Sequence, residues 1–231
     1  MVVEIQGVFD RGCICELCEP VRVLKQEEGV IEAVLELLQD SQLHSKTKLL
    51  KEIGISFGEV GEYEKALECF DKAIELNPED AKAYNDRGLA YLDLEQYELA
   101  VENCDKAIKL NPDLAEPYNN RGLAYADLKQ YRRAIDDYNK AIELNPNLAE
   151  PYNNRGLAYA DLEQYELAID EYTKAISLNP KLTEPHNNRG LAYADLKQYG
   201  RAIADYDKAI KLDPNHTRAY VNRELAISKL R

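Results

Sequence analysis

Residues 115–148 read AEPYNNRGLAYADLKQYRRAIDDYNKAIELNPNL, and residues 149–182 read AEPYNNRGLAYADLEQYELAIDEYTKAISLNPKL. The two blocks differ at seven of 34 positions. The same step runs outward from them in both directions. Gly54, Gly88, Gly122, Gly156 and Gly190 are 34 apart, and so are Pro78, Pro112, Pro146, Pro180 and Pro214. A fixed period of this length marks a stack of like supersecondary units, none of which buries its apolar face alone.

Each block reads as two helices. Tyr118, Gly122 and Tyr125 fall at i, i+4 and i+7, on one helical stripe. Tyr131, Ala134, Ile135, Tyr138, Ala141 and Ile142 form a second stripe. Pro117 stands in a first turn, where its missing N–H costs no bond. Asn145-Pro146 stops the second helix, because proline disfavours a helical residue before it. The small Gly122 and Ala134 columns let two helices approach closely, while the Tyr118, Tyr125 and Tyr138 columns fill the wider gaps. Nearly all of the 16 tyrosines recur in register on these stripes. They read as solenoid core rather than as a stacking platform for bases or sugars.

These columns carry a family resemblance. An aromatic, Gly, Tyr, Ala, a second aromatic, Ala and Pro within 34 residues is similar to the tetratricopeptide repeat. The resemblance covers Thr47–His216 as five units: 47–80, 81–114, 115–148, 149–182 and 183–216. Leu50 and His186 replace the first aromatic, Phe57 replaces a Tyr, and Cys104 takes the column of Phe70, Tyr138, Tyr172 and Tyr206. Each is a core substitution, so His186 is expected to be a packed ring rather than a catalytic base. The fold that the resemblance implies is all-α, a right-handed α-solenoid of helix-turn-helix units. An N-terminal helical extension (1–46) and a C-terminal capping helix (217–231) flank it. Residues 217–231 restart the pattern with Tyr220, Ile227 and Leu230 but carry Glu224 at the glycine position, and read as a solvating cap. Val30, Ile31, Val34, Leu35 and Leu38 form a separate stripe, expected to cover the first repeat.

The resemblance further implies a concave face, lined by the first helices, that binds extended peptides or partner helices. Asn85, Asn119, Asn153 and Asn187 form one ladder on it; Asp86, Asn120, Asn154, Asn188 and Asn222 form a second. A turn or two further lie Asp93, Asp127, Asp161 and Asp195, with Glu116, Glu150 and Glu184 near the mouth. An amide both donates and accepts, so it can hold an extended backbone without reading its side chains. Several such bonds of about 1 kcal/mol in series reach roughly micromolar affinity. The two ladders with Asp127, Asp161 and Asp195 are therefore the expected peptide-binding residues. The aspartates favour a neutral or a Lys- or Arg-bearing partner. Duplication of one unit produces the same columns without a ligand, which leaves a solvated polar face as the alternative. A clamp for a terminal carboxylate would need Lys and Arg where Asn119, Asn120 and Leu123 stand; only Lys48, Lys51 and Lys82 offer a weaker version.

The chain has 231 residues, 45% apolar and 31% charged, which is apolar enough for an ordered protein. Its 29 basic and 42 acidic residues leave a net charge of −13, a like-signed field for nucleic acid or an anionic membrane. No apolar run is long enough to span a bilayer. The start, MVVEIQGVFDRG, has no basic n-region before an apolar core, and an odd five cysteines fit a reducing compartment. The expected location is the cytoplasm. Residues 1–114 hold 12 basic and 25 acidic side chains, residues 115–231 hold 17 of each, and the last fifteen hold four basic and one acidic. This split would draw copies head to tail, but screening confines it to about 8 Å, so a monomer is expected.

Cys13, Cys15 and Cys18 put three thiols within six residues, the beginning of a zinc site whose fourth ligand would be His44 or a second chain. No second Cys or His pair accompanies them, so free thiols and no cofactor are expected. Cys69 and Cys104 read as structural. Phosphate-cradling glycine loops, nucleophile elbows and His-Glu-x-x-His are absent, and the three histidines are scattered. A non-enzymatic scaffold that binds a peptide or partner segment is therefore expected. A self-assembling scaffold using the solenoid ends and an adaptor with an N-terminal metal or thiol sensor are the alternatives.

Overall fold

The computed structural model describes residues 43–230. The three N-terminal cysteines and the Val30–Leu38 stripe lie outside these residues. Among the described residues there are eleven α-helices and no strand. The chain divides into two compact units between Pro112 and Asp113. The first holds α1 (Leu43–Glu59), α2 (Tyr63–Leu76), α3 (Ala81–Asp93) and α4 (Tyr97–Leu110). The second holds α5 (Ala115–Asp127), α6 (Tyr131–Leu144), α7 (Ala149–Asp161), α8 (Tyr165–Leu178), α9 (Thr183–Asp195), α10 (Tyr199–Leu212) and α11 (Thr217–Leu230). Within each unit every helix packs on the next, and first helices also touch one another: α1 on α3, and α5, α7, α9 and α11 in series.

Local chemistry sets the breaks. Pro117, Pro151 and Pro185 are buried in the first turns of α5, α7 and α9. Asn145 ends α6 twice over: its N–H donates to the Ala141 carbonyl at 2.9 Å, and its Oδ1 accepts from the Asn147 N–H at 3.3 Å. Such a side-chain turn mimics a backbone one and lets Pro146 follow. Between paired helices of the second unit one residue turns left-handed, Lys129, Glu163 or Lys197, at φ 59–60°.

The core is a ring pressed onto a bare backbone. A Cβ on Gly122 would lie 2.6 Å from Cε1 of Tyr138; on Gly190 it would lie 2.6 Å from Tyr206. These tyrosines are fully buried, and burial pushes their phenols well above the usual range. In α4 the ring is replaced by Cys104, and a Cβ on Gly88 would meet its Sγ at a milder 3.1 Å. Cys69 and Cys104 are buried thiols, and burial, with Glu68 nearby, pushes the Cys69 thiol up to about 12. His186 occupies its aromatic column as a packed ring, 4% exposed, with neither ring nitrogen hydrogen-bonded. Its Nδ1 stands 3.7 Å from Asp205 Oδ1.

A column of arginines clamps the helices from the polar side. Arg121 Nε and Nη2 donate to the two oxygens of Asp137 at 2.8 and 2.6 Å, and Arg189 makes the same fork on Asp205 at 2.7 Å for both bonds. Arg155 Nη2 reaches both oxygens of Glu171. Each of the last two extends a second arm to the preceding second helix: Arg155 to Asn139, Arg189 to Thr173. In the first unit Arg87 bonds Asn103 and Asp71 alike. Nothing in the sequence reading singled this column out. A cation every 34 residues, with an acid or amide 16 further on, is the signal that was there.

α11 buries Ala219 and Ala226 but leaves Val221 62% and Leu225 58% exposed, with Tyr220 and Leu230 beside them. The cap thus carries an exposed apolar row beside its exposed polar residues Arg218, Glu224, Ser228 and Lys229.

Two outcomes test this account. Gly122→Ala should cost about 1–3 kcal/mol of unfolding free energy, because the clash with Tyr138 outweighs the gain in helix propensity. Gly88→Ala should be neutral within about 1 kcal/mol, the thiol yielding. Urea unfolding of the full chain reads both. The second concerns Asp205: burial alone would raise its carboxyl, but the Arg189 fork and the His186 ring hold it below the ordinary value. A carboxyl depressed by folding stabilises above the unfolded Asp range and loses that contribution as pH falls through the folded value. Arg189→Met should therefore lower stability at pH 7 by roughly 2–3 kcal/mol and lessen its fall below about pH 4, read by denaturation across pH.

Candidate functional site

The first helices present one stripe, at i, i+4 and i+8. In the second unit it reads Asn119–Leu123–Asp127 on α5, Asn153–Leu157–Asp161 on α7 and Asn187–Leu191–Asp195 on α9. In the first unit α3 carries Asn85–Leu89–Asp93. Residues so spaced share a helix face. The structure thus brings the expected asparagines and aspartates of each helix together and adds a leucine between them.

The amides are already engaged. Asn222 Nδ2 donates to Asn187 Oδ1 at 3.2 Å, Asn187 to Asn188 at 3.4 Å, and Asn188 to Asn153 at 3.2 Å. Asn153 donates to Asn154 at 3.3 Å, Asn154 to Asn119 at 3.1 Å, and Asn119 to Asn120 at 3.4 Å. The result is an unbroken relay through α11, α9, α7 and α5. Its cross-helix steps join residues 35 apart, because a helical side chain leans over the turn before its own Cα and so reaches the preceding column of the neighbour. Asn120 and Asn187 are buried. The expected ladder residues Asn119, Asn120, Asn153, Asn154, Asn187, Asn188 and Asn222 thus bond one another across the layers. They fasten adjacent layers, and the inner members of the relay keep one N–H and one lone pair beyond it. In the first unit Asn85 donates to Asp86 at 3.2 Å.

The carboxylates stand differently. Asp127, Asp161 and Asp195 are the last residues of their helices and are exposed, as is Asp93. Partial burial raises the carboxyls of Asp93, Asp161 and Asp195 above their ordinary range. Burial raises Asp86 too, against the opposing pull of Asn85 and Lys51. Glu116, Glu150 and Glu184 are exposed, and Glu184 accepts from His216 Nε2 at 3.2 Å while His216 Nδ1 caps α11 through the Ala219 N–H. Of the basic residues near the first repeats, Lys51 is tied to Asp80 at 2.6 Å, and Lys48 and Lys82 are exposed.

Leucine was the unread part of the stripe. Leu157 and Leu191 are each 40% exposed, beside Asp161 and Asp195. In the second unit a cleft of about 220 Å³ opens between α9 and α11, walled by Leu191, Leu225 and Ala226, with Asp195 and Lys229 at its rim. In the first unit a cleft of about 300 Å³ between α1 and α3 is walled by Ile55, Leu89 and Phe70, with Glu59, Asp86 and Asp93 around it.

Tetratricopeptide repeat models match residues 81–114, 115–148, 137–170 and 184–216, and a TPR repeat model matches residues 57–95 and 156–197. The chain belongs to the tetratricopeptide repeat family. Solved tetratricopeptide structures resemble it over most of its length. A thermophilic member from Thermus thermophilus superposes with a TM-score of 0.70 at 23% identity, covering 79% of this chain and 99% of its own. YrrB, a tetratricopeptide protein with an unusual peptide-binding site, gives 0.59 at 25%, covering 84% and 100%. MamA from Desulfovibrio magneticus RS-1, residue 41 onward, gives 0.62 at 26%, covering 74% and 97%. No curated protein matches the chain in sequence. Tetratricopeptide proteins are in general non-enzymatic scaffolds, and the repeat fold is consistent with a protein-interaction role. Among the described residues no group of three or more His, Cys, Asp or Glu is placed to hold a metal, and no helix is long and apolar enough to cross a membrane.

The relay has a measurable consequence. Replacing Asn120, Asn154 and Asn188 together by Ala should lower the unfolding free energy by about 2–4 kcal/mol, since each loss also leaves a partner amide short of a bond. Unchanged stability in urea would show the amides idle in the free protein.

Proposed function

We propose that the second unit binds an extended partner segment along its first-helix face. The segment's apolar side chains lodge beside Leu157 and Leu191, and its Lys or Arg side chains meet Asp127, Asp161 and Asp195. The observation that carries this reading is the pair of half-exposed leucines, Leu157 and Leu191, each one turn from a carboxylate, Asp161 and Asp195. The leucines lie on the same helix face as the carboxylates, so the face offers apolar and acidic groups side by side to a partly apolar, basic segment. The amides assist rather than lead: the relay fixes their rotamers, and the half-buried Asn119, Asn153, Asn154 and Asn188 offer their remaining N–H to a partner carbonyl. The peptide-binding site of YrrB, on the same repeat fold, supports a peptide as the ligand.

The test is a set of fluorescein-labelled twelve-residue peptides of Ser and Leu carrying either Lys or Glu, titrated with the full chain. The lysine peptide should bind at roughly micromolar Kd and the glutamate peptide at least about tenfold more weakly. Asp161→Asn with Asp195→Asn should abolish the difference, and Leu157→Ser with Leu191→Ser should weaken both peptides. Because burial raises the carboxyls of Asp161 and Asp195 and a cationic ligand requires them ionised, affinity should fall on acidification sooner than ordinary aspartates would allow. Equal binding of both peptides would refute the charge assignment.

A further inference from the structure

The stripe of α11 differs from that of every other described first helix. Where α5, α7 and α9 read Asn–Leu–Asp, α11 reads Val221–Leu225–Lys229: apolar at the first place and cationic at the last. Val221 and Leu225 are the most exposed large apolar residues on it besides Leu230. Lys229 and Arg218 are exposed and have no ion-pair partner among the described residues. The opposite chemistry lies in the first unit. There the cleft between α1 and α3 has apolar walls, Ile55, Leu89 and Phe70, and an acidic rim, Glu59, Asp86 and Asp93.

The spacing of the two surfaces agrees. Ile55 to Glu59, Leu89 to Asp93 and Leu225 to Lys229 are each one helical turn, apolar residue first and charge second. The charges fall at the C-terminal ends of α1 and α3, where a cation is also favoured by the helix dipoles. The chain already contains one such pairing, since Leu191–Asp195 and Leu225–Lys229 wall a single cleft between α9 and α11. Residues 30–40, VIEAVLELLQD, could in principle supply an apolar occupant for the first-unit cleft, but they carry Glu32, Glu36 and Asp40 and no cation, the wrong sign for that rim.

We propose that the Val221–Leu225–Lys229 stripe of one copy seats in the acidic cleft between α1 and α3 of a second copy, so that the chain associates head to tail. The contact is heterologous: each copy offers one of each surface, and repetition gives an open row or a closed ring. Apolar burial supplies cohesion, and Lys229 against Asp93 and Glu59 sets direction and salt dependence. The proposal does not rest on the peptide reading, whose leucines and carboxylates lie on α5, α7 and α9 rather than on α11 or in the first unit.

Sedimentation velocity of the full chain, from ~1 to ~200 µM in ~50 mM and ~500 mM salt, tests it. The average mass should rise with concentration at low salt and return to that of the 26.3 kDa monomer at high salt. Lys229→Glu or Asp93→Lys should each weaken association at least about tenfold, and the double variant should recover to within about threefold of the starting protein. Val221→Asp should weaken it as well. All of these positions but Val221 carry exposed charges, and circular dichroism confirms that each variant remains folded. A monomer at every concentration, or single variants that associate like the parent, would overturn the proposal. Loss of lysine-peptide binding with association intact would count against the peptide reading alone.

Discussion

The distance between the two helices of a pair governs the rest of the structure. With a bare backbone at Gly122, the Tyr138 ring lies where a methyl group would otherwise stand. That contact fixes how near α5 and α6 lie, and similar contacts recur at Gly156 with Tyr172 and at Gly190 with Tyr206. Because one side of each pair is set so closely, small residues such as Ala134, Ala168 and Ala202 can bury completely on the facing helix. Dispersion between closely packed atoms is short-ranged, so a stack built this way has little tolerance for variation in that spacing. Repetition of the columns is a consequence of this intolerance. Where Cys104 stands in place of the ring, the same glycine has more room, and the first unit accommodates a variant that the second does not contain.

Polar groups do the complementary work. Arg121 and Arg189 each take two arms to their own second helix, Arg155 bridges both oxygens of Glu171 through one nitrogen, and Arg87, Arg155 and Arg189 each send an arm to the second helix before. Such a fork is directional where apolar packing is not, and it cannot be satisfied if the helices rotate. The asparagine relay does for the first helices what the arginines do for the second. Each layer of the second unit is thus held by a dry seam and by two polar seams, with the half-buried aspartates and glutamate of the forks paired rather than stranded.

Much of this was legible in the sequence, and the reason is the repeat. A column that recurs five times can be assigned to a face by its spacing alone, so the helix ends at Asn145-Pro146, the buried rings and the packed His186 follow from the pattern. What did not follow were contacts whose meaning depends on geometry between columns. Arg121 and Asp137 are sixteen residues apart on different helices, and in sequence each resembles an ordinary surface charge. Asn154 and Asn119 are offset by one from the repeat period, so a search in register passes over their bond. Leu157, alone in a polar helix face, gives no sign of being half exposed. The apolar character of α11 was hidden for a similar reason: Val221 sits in the asparagine column, and its significance appears only when its burial is known.

The direction of the relay adds a final step. Every cross-helix donor in the second unit points toward the earlier repeat: Asn222 to Asn187, Asn188 to Asn153, Asn154 to Asn119. Bonds in such a chain polarise one another in one sense, so reversing a single amide would set donor against donor at one joint and acceptor against acceptor at the next. The orientation is therefore cooperative across four helices rather than chosen helix by helix. A surface whose remaining N–H groups and lone pairs are all turned the same way is itself polar along its length. A peptide backbone, which also has a direction, meets such a surface differently from its two ends. The physical content of the asparagine columns is then one shared polarity, set jointly by the bonds between four helices.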